Sequence, residues 1–206
     1  MIKKLLSMST LAVFVLSVLL VTLVTTAGGA KDYMAEKSAR NNGELVEIVL
    51  TEEDFQKESM RSRAPEKGWK ATDGDPQLIL NSQMKISYIE FYMEYIMYPG
   101  EMLVYYTTPE DTVYSNSKMV VVSPMEGKDG WFCASLPLTE ISSLRIDPTS
   151  MAGNHLIFGD FVINPEKTLA DYIAPDAYTV LSTAIYSLVL FAIFSFVQDF
   201  FTKEDK

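Results

Sequence analysis

Ile86-Ser87-Tyr88-Ile89-Glu90-Phe91-Tyr92-Met93-Glu94-Tyr95-Ile96-Met97-Tyr98 is a stretch whose residue types alternate. The odd positions Ile89, Phe91, Met93, Tyr95 and Met97 are apolar or aromatic. The even positions Tyr88, Glu90, Tyr92, Glu94 and Tyr98 carry hydroxyls and carboxylates, with Ile96 as the exception. A period of two is the side-chain period of a β-strand, so a strand is predicted from about Ile86 to Met97 with one face in a core. Pro99-Gly100 supplies the turn that follows.

Outward from this stretch, short apolar runs suggest further strands at Leu45–Leu50, Gln77–Leu80, Met102–Thr107, Lys118–Val122, Gly130–Ser135, Ser143–Ile146 and Leu156–Ile163. Pro109, Pro124, Gly127, Pro137, Pro148 and Gly153 separate them, and the charged stretch Glu52–Ser62 reads as a short helix or loop. Strands this short and this regularly punctuated indicate a sandwich or barrel rather than a βαβ fold. The β domain is placed at residues 44–164, and no internal repeat is evident.

Two apolar runs flank it. No charged residue occurs from Leu5 to Ala30, and a second charge-free run extends from Ala177 to Gln198. Twenty-two helical residues span about 33 Å, enough to cross a hydrocarbon core of about 30 Å. The second run is read as a transmembrane helix, residues 177–198. The first, residues 1–30, is read as a retained anchor; the alternative is a cleaved signal, since Lys3 and Lys4 precede it and Gly28-Gly29-Ala30 offers a small-residue cleavage site. A polar linker (31–43) ends at Asn41-Asn42-Gly43, a second linker spans 165–176, and 199–206 form a tail. Lys3, Lys4, Lys203 and Lys206 lie outside the runs at both chain ends, with Asp199, Glu204 and Asp205 among the C-terminal lysines, while the inner flanks are mixed, Asp32, Asp171 and Asp176 beside Lys31. Both termini are therefore expected in the cytoplasm and residues 31–176 outside it.

Composition narrows the function. The 206 residues include 27 Asp and Glu against 17 Lys and Arg, a net charge of −10, which argues against nucleic acid as a partner. One Cys excludes a disulfide framework, and one His excludes a multi-His metal site. No P-loop, G-x-G-x-x-G, H-E-x-x-H or G-x-S-x-G motif occurs. Asp73-Gly74-Asp75 has a D-x-D form but lacks a surrounding nucleotide-binding domain and reads as a solvated turn. His155 lies beside Gly153 without catalytic partners, and Cys133 reads as a small packed hydrophobe. Glu52, Glu53, Asp54, Asp111, Asp147 and Asp160 offer oxygens, but the run at Glu52–Asp54 reads as a solvated face rather than a calcium site. No catalytic residue, metal site or cofactor is assigned.

Trp69-x5-Asp75-Pro76-Gln77-Leu78-Ile79-Leu80, Val104-Tyr105-Tyr106, Ile141-x-x-Leu144-Arg145-Ile146-Asp147-Pro148 and Phe158-x-x-Phe161-Val162-Ile163 together resemble one module. It is similar to the jelly-roll, carbohydrate-binding-module-like β-sandwich of bacterial membrane glycosyltransferases and other surface-polysaccharide membrane proteins. The resemblance covers about Glu44–Asn164. It implies a bacterial, jelly-roll-like extracytoplasmic sandwich handling cell-envelope polysaccharide. The catalytic domain of those transferases is missing, so their activity does not carry over.

The even face of the Ile86–Tyr98 stretch is the candidate glycan surface. Tyr88, Tyr92 and Tyr98 offer flat apolar rings to sugar CH groups, and Glu90 and Glu94 accept hydroxyl protons. The competing reading packs this face under a sheet edge or loop, with Arg145 pairing one of the glutamates. In the second apolar run Thr183 and Ser187 are spaced for close helix approach, most simply to the first. The expectation is a non-catalytic, membrane-anchored accessory protein binding glycan or a partner; the alternative is a structural subunit docked on a polytopic membrane protein without glycan binding.

Overall fold

A computed structural model of the chain describes residues 9–63, 68–175 and 177–204. Lys3, Lys4, Asp176 and Lys206, used above for orientation, lie outside the described residues. The chain divides into two units: Glu36–Glu166, and a helical unit formed by the segments up to Ala35 and from Lys167 onward.

Glu36–Glu166 is a sandwich of two antiparallel sheets. Its strands are β1 (Ile48–Leu50), β2 (Gln56–Glu58), β3 (Met60–Ser62), β4 (Trp69–Ala71), β5 (Gln77–Leu80), β6 (Met84–Tyr95), β7 (Leu103–Thr107), β8 (Met119–Val121), β9 (Ser123–Pro124), β10 (Trp131–Ile141), β11 (Ser143–Asp147) and β12 (His155–Ile163). The larger sheet runs β3-β4-β12-β6-β10-β9, with β1 also on β12; the smaller runs β2-β5-β11-β7-β8. Phe91, Met93 and Ile89 of β6 meet Leu156, Phe161 and Ile163 of β12 in the core, and Leu78, Val104, Leu144 and Ile146 face them from the smaller sheet. Phe91 stacks on Phe161 at 5.5 Å and on Phe132 at 5.8 Å. Each such side chain, fully buried, stabilises the fold by about 1.5–3 kcal/mol.

The predicted alternation holds over the centre of β6 and fails at both ends. Ile89, Phe91 and Met93 are buried, whereas the odd positions Tyr95 and Met97 are 40% and 41% exposed. The strand stops at Tyr95 because the Asn154 side chain takes over the backbone beyond it. Its Oδ1 accepts the Met97 N–H at 3.1 Å, and its Nδ2 donates to the Met97 carbonyl at 2.9 Å. At the other end Ile86 and Ser87 are both buried, so the phase of burial changes there. The cause lies opposite, where the β10 register shifts between Ser135 and Thr139. Pro137 falls inside that shift and has no N–H for a ladder bond.

The turn between β12 and the following segment also departs from regular backbone. Asn164 has φ +52° and is fully buried. Its side chain accepts the Ser87 N–H at 2.9 Å and donates to the carbonyls of Lys85 and Val46 at 2.9 and 3.2 Å.

The first helix, α1 (Thr10–Asn41), continues through the polar residues after Ala30, so its last residues from Glu36 belong to the other unit, and it ends at the predicted stop. Gly43 there has φ +71° and donates to the Arg40 carbonyl at 2.9 Å, as a helix C-cap requires. A short α2 (Leu169–Ile173) starts with a capping box between Thr168 and Asp171, and α3 (Ala177–Glu204) follows. Two helices, Thr10–Asn41 and Tyr178–Phe200, are long and apolar enough to cross a membrane. Phe14 and Phe191 meet edge to face at 5.7 Å, and Ser17 and Ser187 are buried. Ser187, one half of the predicted small-residue pair, is thus covered, and Thr183 is half-buried.

Candidate functional site

Tyr92 lies on the outer face of β6, and its register partner on β10 is Trp131. Direct partners on antiparallel strands share a face, so both rings stand on the outside of the larger sheet. Their centroids are 6.0 Å apart and their planes 63° apart. Beneath the Tyr92 ring the backbone carries no side chain. A Cβ on Gly130 would stand 2.6 Å from Tyr92 Cε2, and one on Gly159 3.0 Å from Cδ1. Gly130 also has φ +75°, which the turn into β10 requires. The two glycines let the phenol ring lie close against the sheet.

Polar groups surround this pair. The Tyr92 hydroxyl donates to Glu94 Oε1 at 2.6 Å, and the carboxylate holds the phenol above its ordinary pKa by favouring the protonated form. Lys128, on the turn before β10, places Nζ 5.6 Å from the Trp131 ring centre and 3.5 Å from Glu90 Oε2. A cavity of about 510 Å³ opens here, lined among others by Tyr92, Glu94, Tyr95, Lys128, Asp129 and Trp131. Two inclined rings, two exposed carboxylates and an ammonium group offer apolar faces to CH groups and acceptors and a donor to hydroxyls.

Of the five predicted residues, Tyr92 and Glu94 line the cavity. Glu90 shares their face, but its side chain is only 14% exposed and lies against Lys128. Tyr88 is half-buried opposite Ser135, two residues further along the strand. Tyr98 lies beyond the end of β6, so strand alternation does not place it on this face. Trp131, Lys128, Asp129 and the two glycines went unpredicted. Glu126-Gly127-Lys128-Asp129-Gly130-Trp131 did carry a signal, a tryptophan directly after a glycine turn, but nothing local says which strand it faces.

Other candidates fall elsewhere. Cys133 is half-buried on the outer face opposite Glu90, not packed in the core as predicted. Asp73 accepts the Asp75 N–H at 2.9 Å in a turn, and Asp75 pairs with Arg145 at 2.6 Å. Arg145 therefore pairs no glutamate of β6. Glu52 is not merely solvated, since it accepts the Trp69 indole N–H at 2.8 Å. Asp111 pairs with Lys118 at 2.8 Å. Among the described residues no three His, Cys, Asp or Glu side chains converge as metal ligands.

No protein-family model matches the sequence, and neither does any curated protein. Among solved structures the chain is similar to CBM86, a low-affinity xylan-binding module from Roseburia intestinalis, with TM-score 0.38 and 10% identity over 57% of this chain and 94% of that one. It is also similar to a single-site mutant of a family 29 carbohydrate-binding module, with TM-score 0.41 and 10% identity over 64% and 99% of the two chains. A third is a β-1,3-glucan-binding CBM6 from Bacillus halodurans, with TM-score 0.36 and 11% identity over 57% and 96%. At such scores the likeness transfers no residue role to this chain.

Proposed function

We propose that this chain is a non-catalytic, membrane-anchored accessory protein whose extracytoplasmic sandwich binds glycan in cell-envelope polysaccharide handling. The observation that carries the binding is the Tyr92–Trp131 pair, laid over Gly130 and Gly159 and edged by Glu94 and Asp129. The rings are half-exposed, which favours a ligand over the purely structural subunit. Stacking contacts of this kind are worth about 0.5–1.5 kcal/mol each by analogy with aromatic pairs, so affinity is weak and needs both rings. The membrane reading draws on the two apolar helices, with the apolar part of α1 up to Ala30 and α3 as spans and residues 31–176 between these spans outside the cytoplasm.

The test is titration of the full chain, in detergent, with neutral envelope-type oligosaccharides by calorimetry. Weak binding that Trp131→Ala or Tyr92→Ala abolishes, with an unchanged melting temperature, is expected. Absence of binding to every oligosaccharide, or unfolding by Tyr92→Ala, would give the face to packing and favour the structural subunit.

A further inference from the structure

Arg61, Lys70 and His155 stand side by side on three neighbouring strands. Arg61 of β3 is the register partner of Lys70 on β4, and Lys70 is the partner of His155 on β12. The register also links them to the cavity. His155 and Ile157 share a face of β12, Ile157 is the partner of Glu94, and Glu94 shares its face of β6 with Tyr92. The cations and the ring pair therefore occupy one face of one sheet. Arg63 joins the row, with Nη1 2.8 Å from His155 Nδ1.

Two features set this row apart. Arg61, Arg63 and Lys70 are exposed and have no carboxylate partner among the described residues. In the same unit Lys85, Lys118, Lys128 and Arg145 each hold a carboxylate, and Arg40 and Lys57, which hold none, donate to backbone carbonyls instead. Arg61 directly opposite Lys70 is moreover a like-charge cross-strand pair, which destabilises a sheet. In a chain of net charge −10, counter-charges to relieve it are abundant, yet the described fold places none there. Local rules broken without a compensating contact are expected at functional or strained sites.

We propose that this row is the anion-binding half of the glycan site, so that the ligand is a glycan bearing carboxylate or phosphate groups. A neutral ring would stack on Tyr92 and Trp131 while an anionic substituent meets Arg61, Arg63 and Lys70. From Trp131 to Lys70 is three strand spacings across the sheet and four residues along it, about 20 Å in all, a reach of several sugar units. The inference rests on the glycan reading above.

The experiment places the full chain in nanodiscs of zwitterionic lipid and titrates it with oligogalacturonate and with a neutral oligosaccharide of equal length. The charged chain should bind about tenfold tighter at low salt, the scale of a charge-assisted contact, and the gap should close as salt rises. The double variant Arg61→Gln, Lys70→Gln should bring the charged ligand down to the neutral one, and should melt no lower than the parent because like charges are removed. Equal affinities in the parent would overturn this inference and leave the glycan reading standing. Absence of binding by either ligand would overturn both. Binding to anionic-lipid vesicles that the double variant abolishes, without preference between the glycans, would make the row a lipid contact and overturn it as well.

Discussion

Arg145 and Asp147, two residues apart on β11, share a face and are joined twice, Nε to Oδ1 at 2.6 Å and Nη2 to Oδ2 at 2.7 Å. Nη2 also reaches Asp75 Oδ1 at 2.6 Å, and the guanidinium lies 5.1 Å over the Tyr105 ring. Burial pushes the Asp147 carboxyl above the usual carboxylate range, and the arginine offsets part of that shift. The fold holds a costly carboxylate here only because the guanidinium is already in place.

Removing one partner strands the other. Arg145→Met should lower stability by about 3 kcal/mol, because a largely buried carboxylate loses its counter-ion. The double variant with Asp147→Leu should recover much of it. Urea unfolding of the three proteins checks this; a single variant as stable as the parent would refute the buried-pair account.

Asn164→Ala should cost about 3 kcal/mol. It leaves the Ser87 N–H and the Lys85 carbonyl without their partner and puts alanine at φ +52°. Asn164→Gly relieves only the backbone part, so thermal unfolding of the two variants separates the terms.

Gly159→Ala sets a methyl group about 3.0 Å from the Tyr92 ring and should tilt it off the sheet. Glycan affinity should fall while the melting temperature changes little, since the ring is half-exposed and free to move outward. An unaltered affinity would mean that the ring's seat on the sheet does not matter for binding.

His155 is the only histidine, so its titration is directly readable by NMR. Partial desolvation, then Arg63 and Lys70, hold its imidazole below the ordinary 6.5. A depressed histidine favours the neutral form in the folded state. Its contribution to stability is therefore complete above pH 6.5 and is lost as pH falls through the folded pKa. Arg63→Gln should move the midpoint upward; a midpoint at or above 6.5 in the parent would contradict the basic row.

Topology has its own test. Reporter fusions at both ends should be active only in the cytoplasm, and a mature chain beginning near Lys31 would convert the first span into a cleaved signal.

What sequence alone determined here is local. The period-two pattern sends Ile89, Phe91 and Met93 inward whatever strands they meet, because side-chain alternation is a property of one strand. The α1 stop at Asn41-Asn42-Gly43 was legible for the same reason, since a left-handed glycine cap acts within a few residues. Strand ends and neighbours were decided only in three dimensions. Asn154, 57 residues away, ends β6 by binding Met97, and the register shift around Pro137 changes its phase at Ile86. Trp131 stands beside Tyr92, and Lys70 beside His155, through pairings of strands distant in the chain, while Arg61 meets Lys70 across the neighbouring strands β3 and β4. Inter-strand register depends on where turns and bulges fall across the whole sheet, and no single stretch of residues carries that information.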